Sequence, residues 1–195
     1  MTTDDTPRAP AARPERADVR RNRARLLAAA REMFLRDGAD ASLEGVARLA
    51  GVGIGTLYRH FPTRQDLLEA MLAGVYDDLA ARARDLLTAP EPGEALMTWL
   101  RAFIAQVTAF RGMPASVMVT LKDERSELFP ACHAMRTGGE ELFARAQKAG
   151  EVPAGAEFND VLRLANAIAM ATEDDAATAN RLLALAAAGL HPGGR

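Results

Sequence analysis

The chain has one cysteine, Cys132, so no intramolecular disulfide can form, and a cytosolic protein is expected. Aromatic residues make up only 5% of the 195 residues, and β-branched residues are sparse. No segment alternates with the period of two that a half-buried strand requires. No apolar run approaches the roughly 18 residues needed to cross a bilayer. Residues 1–16 are polar, contain Pro7, Pro10 and Pro14, and lack an apolar h-region, so no secretory signal is read there. The histidines His60, His133 and His191 have no spacing that suggests a metal site or a catalytic triad, and there is no glycine-rich phosphate loop. An enzyme, a metal and a cofactor are therefore not expected.

Alanine, leucine and arginine are plentiful. The 49% hydrophobic content supports a packed core, and the residue types favour helices over sheet. The formal net charge of −2 conceals an asymmetry. Residues 1–64 hold 12 arginines against 8 acidic residues, while the remainder holds 12 basic against 18 acidic residues. A basic front on an acidic remainder fits a protein whose first third meets a polyanion.

An all-α chain of about nine helices follows from the periodicity. Residues 1–17 read as a disordered arm, because nothing there can bury a face. Asp18 is the expected cap of the first helix, in which Leu26, Ala30 and Phe34 recur beside Leu27. Arg20, Arg21, Arg23 and Arg25 crowd its first half, against the helix dipole, as though an outside anion were to balance them. Gly38 ends that helix. Ser42 caps a short helix over 43–50, Gly51 supplies a tight turn, and a second short helix over 53–60 stops at Phe61-Pro62. Thr63, with Asp66 at N3, caps a long connecting helix over 63–87 through Leu68, Leu72, Val75, Leu79 and Leu86. The break at 88–93 precedes an amphipathic helix through Leu96, Leu100, Phe103, Val107 and Phe110, ended by Gly112 and Pro114. A shorter segment is expected over 117–123. Pro130 at N1 opens a helix to Lys148, interrupted at Gly138-Gly139. Two alanine- and leucine-rich helices follow, from Asn159 or Asp160 and from Asp174 or Asp175. The domains are then a first helical unit over 18–64 and a larger helical unit over 65–195.

The stretch 42–60 carries the function. Two short helices joined through a glycine need a third to pack on, and the first helix offers Leu27, Phe34 and Leu35. Val46, Ala47, Leu49, Val52, Leu57 and Phe61 are expected to face it. A helix-turn-helix of this kind lays its second helix in the major groove of duplex DNA. The DNA-facing residues are then Ser42, Ile54, Gly55, Thr56, Tyr58, Arg59, His60 and Arg64. Hydroxyls, rings and guanidinium groups suit phosphate oxygens, and Ile54 suits a thymine methyl. Gly53 and Gly55 each weaken a helix by about 1 kcal/mol relative to alanine, which makes sense where the backbone must come close to DNA.

The words Ala50-Gly51-Val52, Gly55-Thr56-Leu57-Tyr58-Arg59-His60-Phe61 and Leu67-Leu68 closely resemble the DNA-binding domain of the tetracycline-repressor (TetR) family of bacterial regulators. The likeness covers 20–71. Beyond it, the sequence around Arg145-Ala146-Gln147 and Gly150 looks like the C-terminal domain of one subgroup. The resemblance implies a homodimer, a divergent sensor domain, and repression relieved by a small ligand. A DNA-binding activator or architectural protein is the alternative.

Trp99, Phe103, Met118, Phe129 and His133 read either as plain core or as the wall of a pocket for a mostly apolar ligand. Cys132 reads as a buried inert thiol or as a redox sensor. The last two helices, about 160–190, are rich enough in small residues to pair with a second copy as a four-helix bundle.

Overall fold

The computed structural model describes residues 12–110, 126, 128–172 and 175–190, and all regular structure among them is helical. The helices are α1 (Ala12–Asp37), α2 (Leu43–Leu49), α3 (Ile54–His60), α4 (Arg64–Leu86), α5 (Pro92–Ala109), α6 (Leu128–Lys148), α7 (Phe158–Ala171) and α8 (Ala176–Leu190), with a single 3-10 turn at Gly38–Asp40. The segment expected at 117–123 lies outside the described residues. None of the described helices is long and apolar enough to cross a membrane.

Residues 12–17, expected in a disordered arm, are part of α1, which runs from Ala12; the rest of that expected arm lies outside the described residues. Pro14 is tolerated because it sits in the first turn, where its missing N–H would have no intrahelical partner. Asp18 lies inside the helix and pairs with Arg21 at 3.2 Å instead of capping. At the start of α4 the expected cap is complete: Thr63 Oγ1 accepts from Asp66 N at 3.1 Å, and Thr63 N donates to Asp66 Oδ2 at 2.8 Å.

Two apolar cores share α4. The first joins Leu26, Ala30 and Phe34 of α1 to Val46, Ala47, Leu57, Phe61 and the Leu67–Leu68 pair of α4. Leu128 and Ala131, from the first turn of α6, belong to this same core. The second collects Leu79 and Ala83 with residues of α5, α6, α7 and α8 around Trp99. Tyr76 packs against both. Leu35 and Leu49 were expected inside, but they are 47% and 46% exposed. Leu35 lies about 100° around the helix from Phe34, off the buried stripe.

Gly138-Gly139 does not interrupt α6, and Pro130 is its third residue and not its first. The two glycines set packing distance instead. A Cβ on Gly138 would sit 2.7 Å from Ala83 Cβ, and one on Gly139 would sit 2.6 Å from Trp99 Cη2. The lost helix propensity, about 1 kcal/mol per glycine, is accepted so that α6 can press on α4 and α5. At the end of α6 Gly150 has φ +77°, with Gly150 N donating to Gln147 O and Glu151 N to Ala146 O at 3.0 Å each. That is a Schellman close, and it needs the left-handed residue that glycine supplies.

Candidate nucleic-acid interface

Ser42 caps α2: its Oγ accepts from Gly45 N at 3.2 Å and donates to Glu44 Oε2 at 3.0 Å. The backbone N–H of Glu44, and then the Ser42 hydroxyl, hold the exposed Glu44 carboxyl below its usual range. A Cβ at Gly45 would meet only the tip of the flexible Met33 side chain, its Cε at 2.7 Å, and the Ser42 cap at 3.6 Å. The turn to α3 is another Schellman close, with Val52 N donating to Ala47 O and Gly51 N to Arg48 O, both at 3.0 Å, and Gly51 at φ +65°. Arg25 of α1 donates to Gly51 O at 3.4 Å and so holds the turn from behind.

Helix α3 is fixed by its inner residues. Leu57 is fully buried, and Phe61, the C-cap, lies under the Arg23 guanidinium at 5.3 Å from the ring centroid. The other side of α3 is open. Ile54 and Tyr58 are 37% and 44% exposed although both are large and apolar in body. Gly55 and Arg59 are exposed, and Thr56 and His60 are half-buried. Arg59 rests on its own helix, its Nε donating to Gly55 O at 3.2 Å and its Nη2 to Thr56 Oγ1 at 2.9 Å. Nothing in the described chain lies within 4 Å of a Cβ built on Gly53 or Gly55, and neither has a positive φ. Neither packing within the described chain nor backbone geometry therefore requires a glycine at these positions.

Six of the eight residues assigned to DNA from the sequence thus share one short helix, while Ser42 stands at the start of α2. Arg64, the eighth, is also engaged within the chain. Its Nη1 donates to Ala41 O at 2.8 Å, and its guanidinium lies over the Phe34 ring at 5.0 Å. It ties α4 to the segment before α2, because a half-buried guanidinium needs acceptors and an aromatic face close at hand.

Of the residues proposed for a ligand pocket, Trp99 and Phe103 meet in the second core. Trp99 is fully buried, its Nε1 donates to Leu79 O at 3.0 Å, and its ring stacks on Phe103 with centroids 5.9 Å apart. Both are core. Phe129 is half-buried and His133 is exposed on α6. The buried stripe of α6 runs through Leu128, Ala131, Met135, Gly138, Leu142 and Ala146, and His133 falls outside it. Met118 lies outside the described residues. Cys132 is half-buried beside Tyr76, and burial pushes its thiol up, which disfavours the reactive thiolate.

Two polar links were missed, and the first joins the two domains. Arg31 of α1 reaches Asp78 Oδ2 at 3.3 Å and Gln106 Oε1 at 3.2 Å. Ser126 Oγ donates to Glu69 Oε2 at 2.7 Å and accepts from Leu128 N at 3.1 Å. Partners 57 or 75 residues apart leave no local signal in the sequence.

Residues 26–71 match the family of bacterial regulatory proteins, tetR family, and residues 91–192 match the SbtR-like transcriptional regulator C-terminal domain. A TetR transcriptional regulator from Streptomyces coelicolor is 36% identical, with a TM-score of 0.72 over 88% of this chain and 99% of that one. The HTH-type transcriptional repressor KstR of Rhodococcus jostii is 29% identical over 174 residues, 82% of this chain and 78% of that protein. The HTH-type regulator TtgW of Pseudomonas putida is 41% identical over 63 residues, and the matched part spans 47% of its length. With both segments matched and the fold shared, the chain belongs to the TetR family of bacterial transcriptional regulators.

Proposed function

We propose that this protein is a cytoplasmic, homodimeric repressor that binds a near-palindromic operator and leaves it when a small molecule occupies the C-terminal domain. The observation that carries the reading is the open face of α3, where exposed Ile54, Tyr58 and Arg59 flank two glycines with empty space beside them. Tyr58, Thr56 and His60 can donate to phosphate oxygens, Arg59 can swing from its own helix to a phosphate or a guanine, and Ile54 suits a thymine methyl.

One short helix reads too few bases to be specific, so two copies are needed. Leu164 and Met170 of α7, with Leu182 and Leu185 of α8, are 38–68% exposed. An apolar face of this kind on two adjacent helices fits a four-helix bundle made with a second copy. Release would run through α4, whose 23 residues make a rod about 35 Å long starting against α3. The links from Arg31 to α4 and α5, and the seat of Leu128 in the first core, support a route by which a shift of the C-terminal helices reaches the DNA-binding domain. A coupling of about 1–3 kcal/mol changes affinity roughly 5- to 150-fold.

The test is a gel-shift titration of wild type, Tyr58→Ala and His60→Ala. Loss of operator binding with the dimer and the melting temperature retained supports the reading. Undiminished affinity in both variants contradicts the assigned face.

A further inference from the structure

A cavity of about 610 Å³ opens between the start of α5, the turn between α6 and α7, and the last turns of α8. Its walls are Leu96, Met97, Leu100, Val161 and Leu183, with a row of alanines from α8. Its volume lies inside the range of about 300–1,000 Å³ typical of small-molecule sites. Trp99 and Phe103, which fill the centre of the domain, are not among its walls.

The charged groups on its rim, among the described residues, are all of one sign. Glu91, Glu94 and Glu151 line it, and among the described residues no arginine, lysine or histidine does. Two of these carboxylates are engaged. Glu151 Oε2 accepts from Gly93 N at 3.1 Å, in space that a side chain at position 93 would fill. Glu94 Oε1 meets Arg101 Nη1 at 2.7 Å. Glu91 has no side-chain partner among the described residues, and it stands exposed at the mouth. A neutral or anionic guest would leave that carboxylate without a counter-charge, whereas a cation would complete it.

We propose that this cavity binds a small amphipathic cation: an ammonium head at Glu91 and Glu94, and an apolar body between α5 and α8. The consequence for DNA rests on the ligand-released reading above, but the binding itself does not. Leu164, on the face assigned to the second copy, is also one of the walls. An occupant there can therefore bias how the two chains meet.

The test uses the full-length protein without DNA, titrated by calorimetry with octylamine, octanol and octanoate. These probes share one apolar body and differ in head-group charge. Octylamine is expected to saturate at one per chain and to bind at least ten times more tightly than octanoate. Glu91→Gln and Glu94→Gln should each weaken it roughly 3- to 10-fold, the scale of losing one screened charge contact. Met97→Trp, or Ala187→Phe should the first not fold, should fill the cavity and abolish binding while the dimer persists. Equal affinity for octanoate, or octylamine binding that survives the filled cavity, overturns the proposal. So does conversion to monomer by both filling variants, which would assign the cavity to the partner chain. Operator affinity is then read separately. Octylamine that binds as described but leaves DNA affinity unchanged supports this site and contradicts ligand-released repression.

Discussion

Alanine in place of Gly55 is expected to strengthen the fold and weaken DNA binding at the same time. Gly55 is the second residue of α3, it is exposed, and a Cβ there meets nothing within 4 Å. A methyl group at such a position adds no clash and restricts the unfolded chain. The gain is about 0.5–1 kcal/mol, and for a chain of this size that raises the melting temperature by about 1–4 °C. If the empty space is where a phosphate or base edge comes to rest, the same methyl must push the DNA away. Overpacking of that kind costs about 1–3 kcal/mol, or roughly a 5- to 150-fold loss of affinity. Gly74 supplies the control: it is exposed in the middle of α4 and equally free of neighbours. Gly74→Ala should give the same stabilisation and leave DNA affinity alone. Thermal melts and fluorescence-anisotropy titrations of the two variants give both quantities. A stabilised Gly55→Ala protein that binds DNA as well as wild type would refute the argument, because the glycine would then have no partner inside or outside the chain.

Other expectations follow from the packing and the ionisable groups. Leu182→Glu with Leu185→Glu should give a folded monomer by sedimentation, with operator affinity lost, since both side chains are exposed. Gly139→Ala should destabilise by about 1–3 kcal/mol in chemical denaturation, because its methyl would meet Trp99 and Phe158 at 2.6 and 2.7 Å. Ser126→Ala should cost about 1 kcal/mol of stability in chemical denaturation, as the hydrogen bond from just before α6 to Glu69 of α4 is lost. Burial pushes the Tyr76 hydroxyl up to about 12 from its ordinary 10.0. The unfolded chain then loses this proton first, so the Tyr76 contribution is intact below pH 10 and is lost as pH rises from 10 towards 12. Tyr76→Phe should remove that part of the alkaline fall in stability, and an unchanged fall would place its cause elsewhere.

The DNA-binding unit was legible because its signals are local. Ser42, Gly51, Thr63 with Asp66, and Phe61-Pro62 each act within a few residues, and the structure has a cap, a turn or a stop at each. The break before α5 and the Schellman glycine after α6 were legible for the same reason. What escaped depends on partners far along the chain. Gly138 and Gly139 look like helix breakers until Ala83 and Trp99 are seen against them. That Arg64 also holds Ala41 and Phe34 left no local signal. Trp99 and Phe103 have the composition of a pocket wall, and only their mutual stacking and the Leu79 hydrogen bond identify them as core. Alanine-rich α8 gave no hint of a cavity beside it, since alanines signal close approach as readily as empty space.

The central claim is that two copies of this chain read DNA with α3. Selection of bound sequences from a random pool by the full-length protein tests it most directly. The account predicts enrichment of one near-palindromic site whose half-sites lie one or more whole turns apart, in multiples of about 10 bp. It also predicts that Tyr58→Ala no longer enriches that site. A pool that stays random, or an enriched site without two-fold symmetry that Tyr58→Ala enriches equally well, would contradict it.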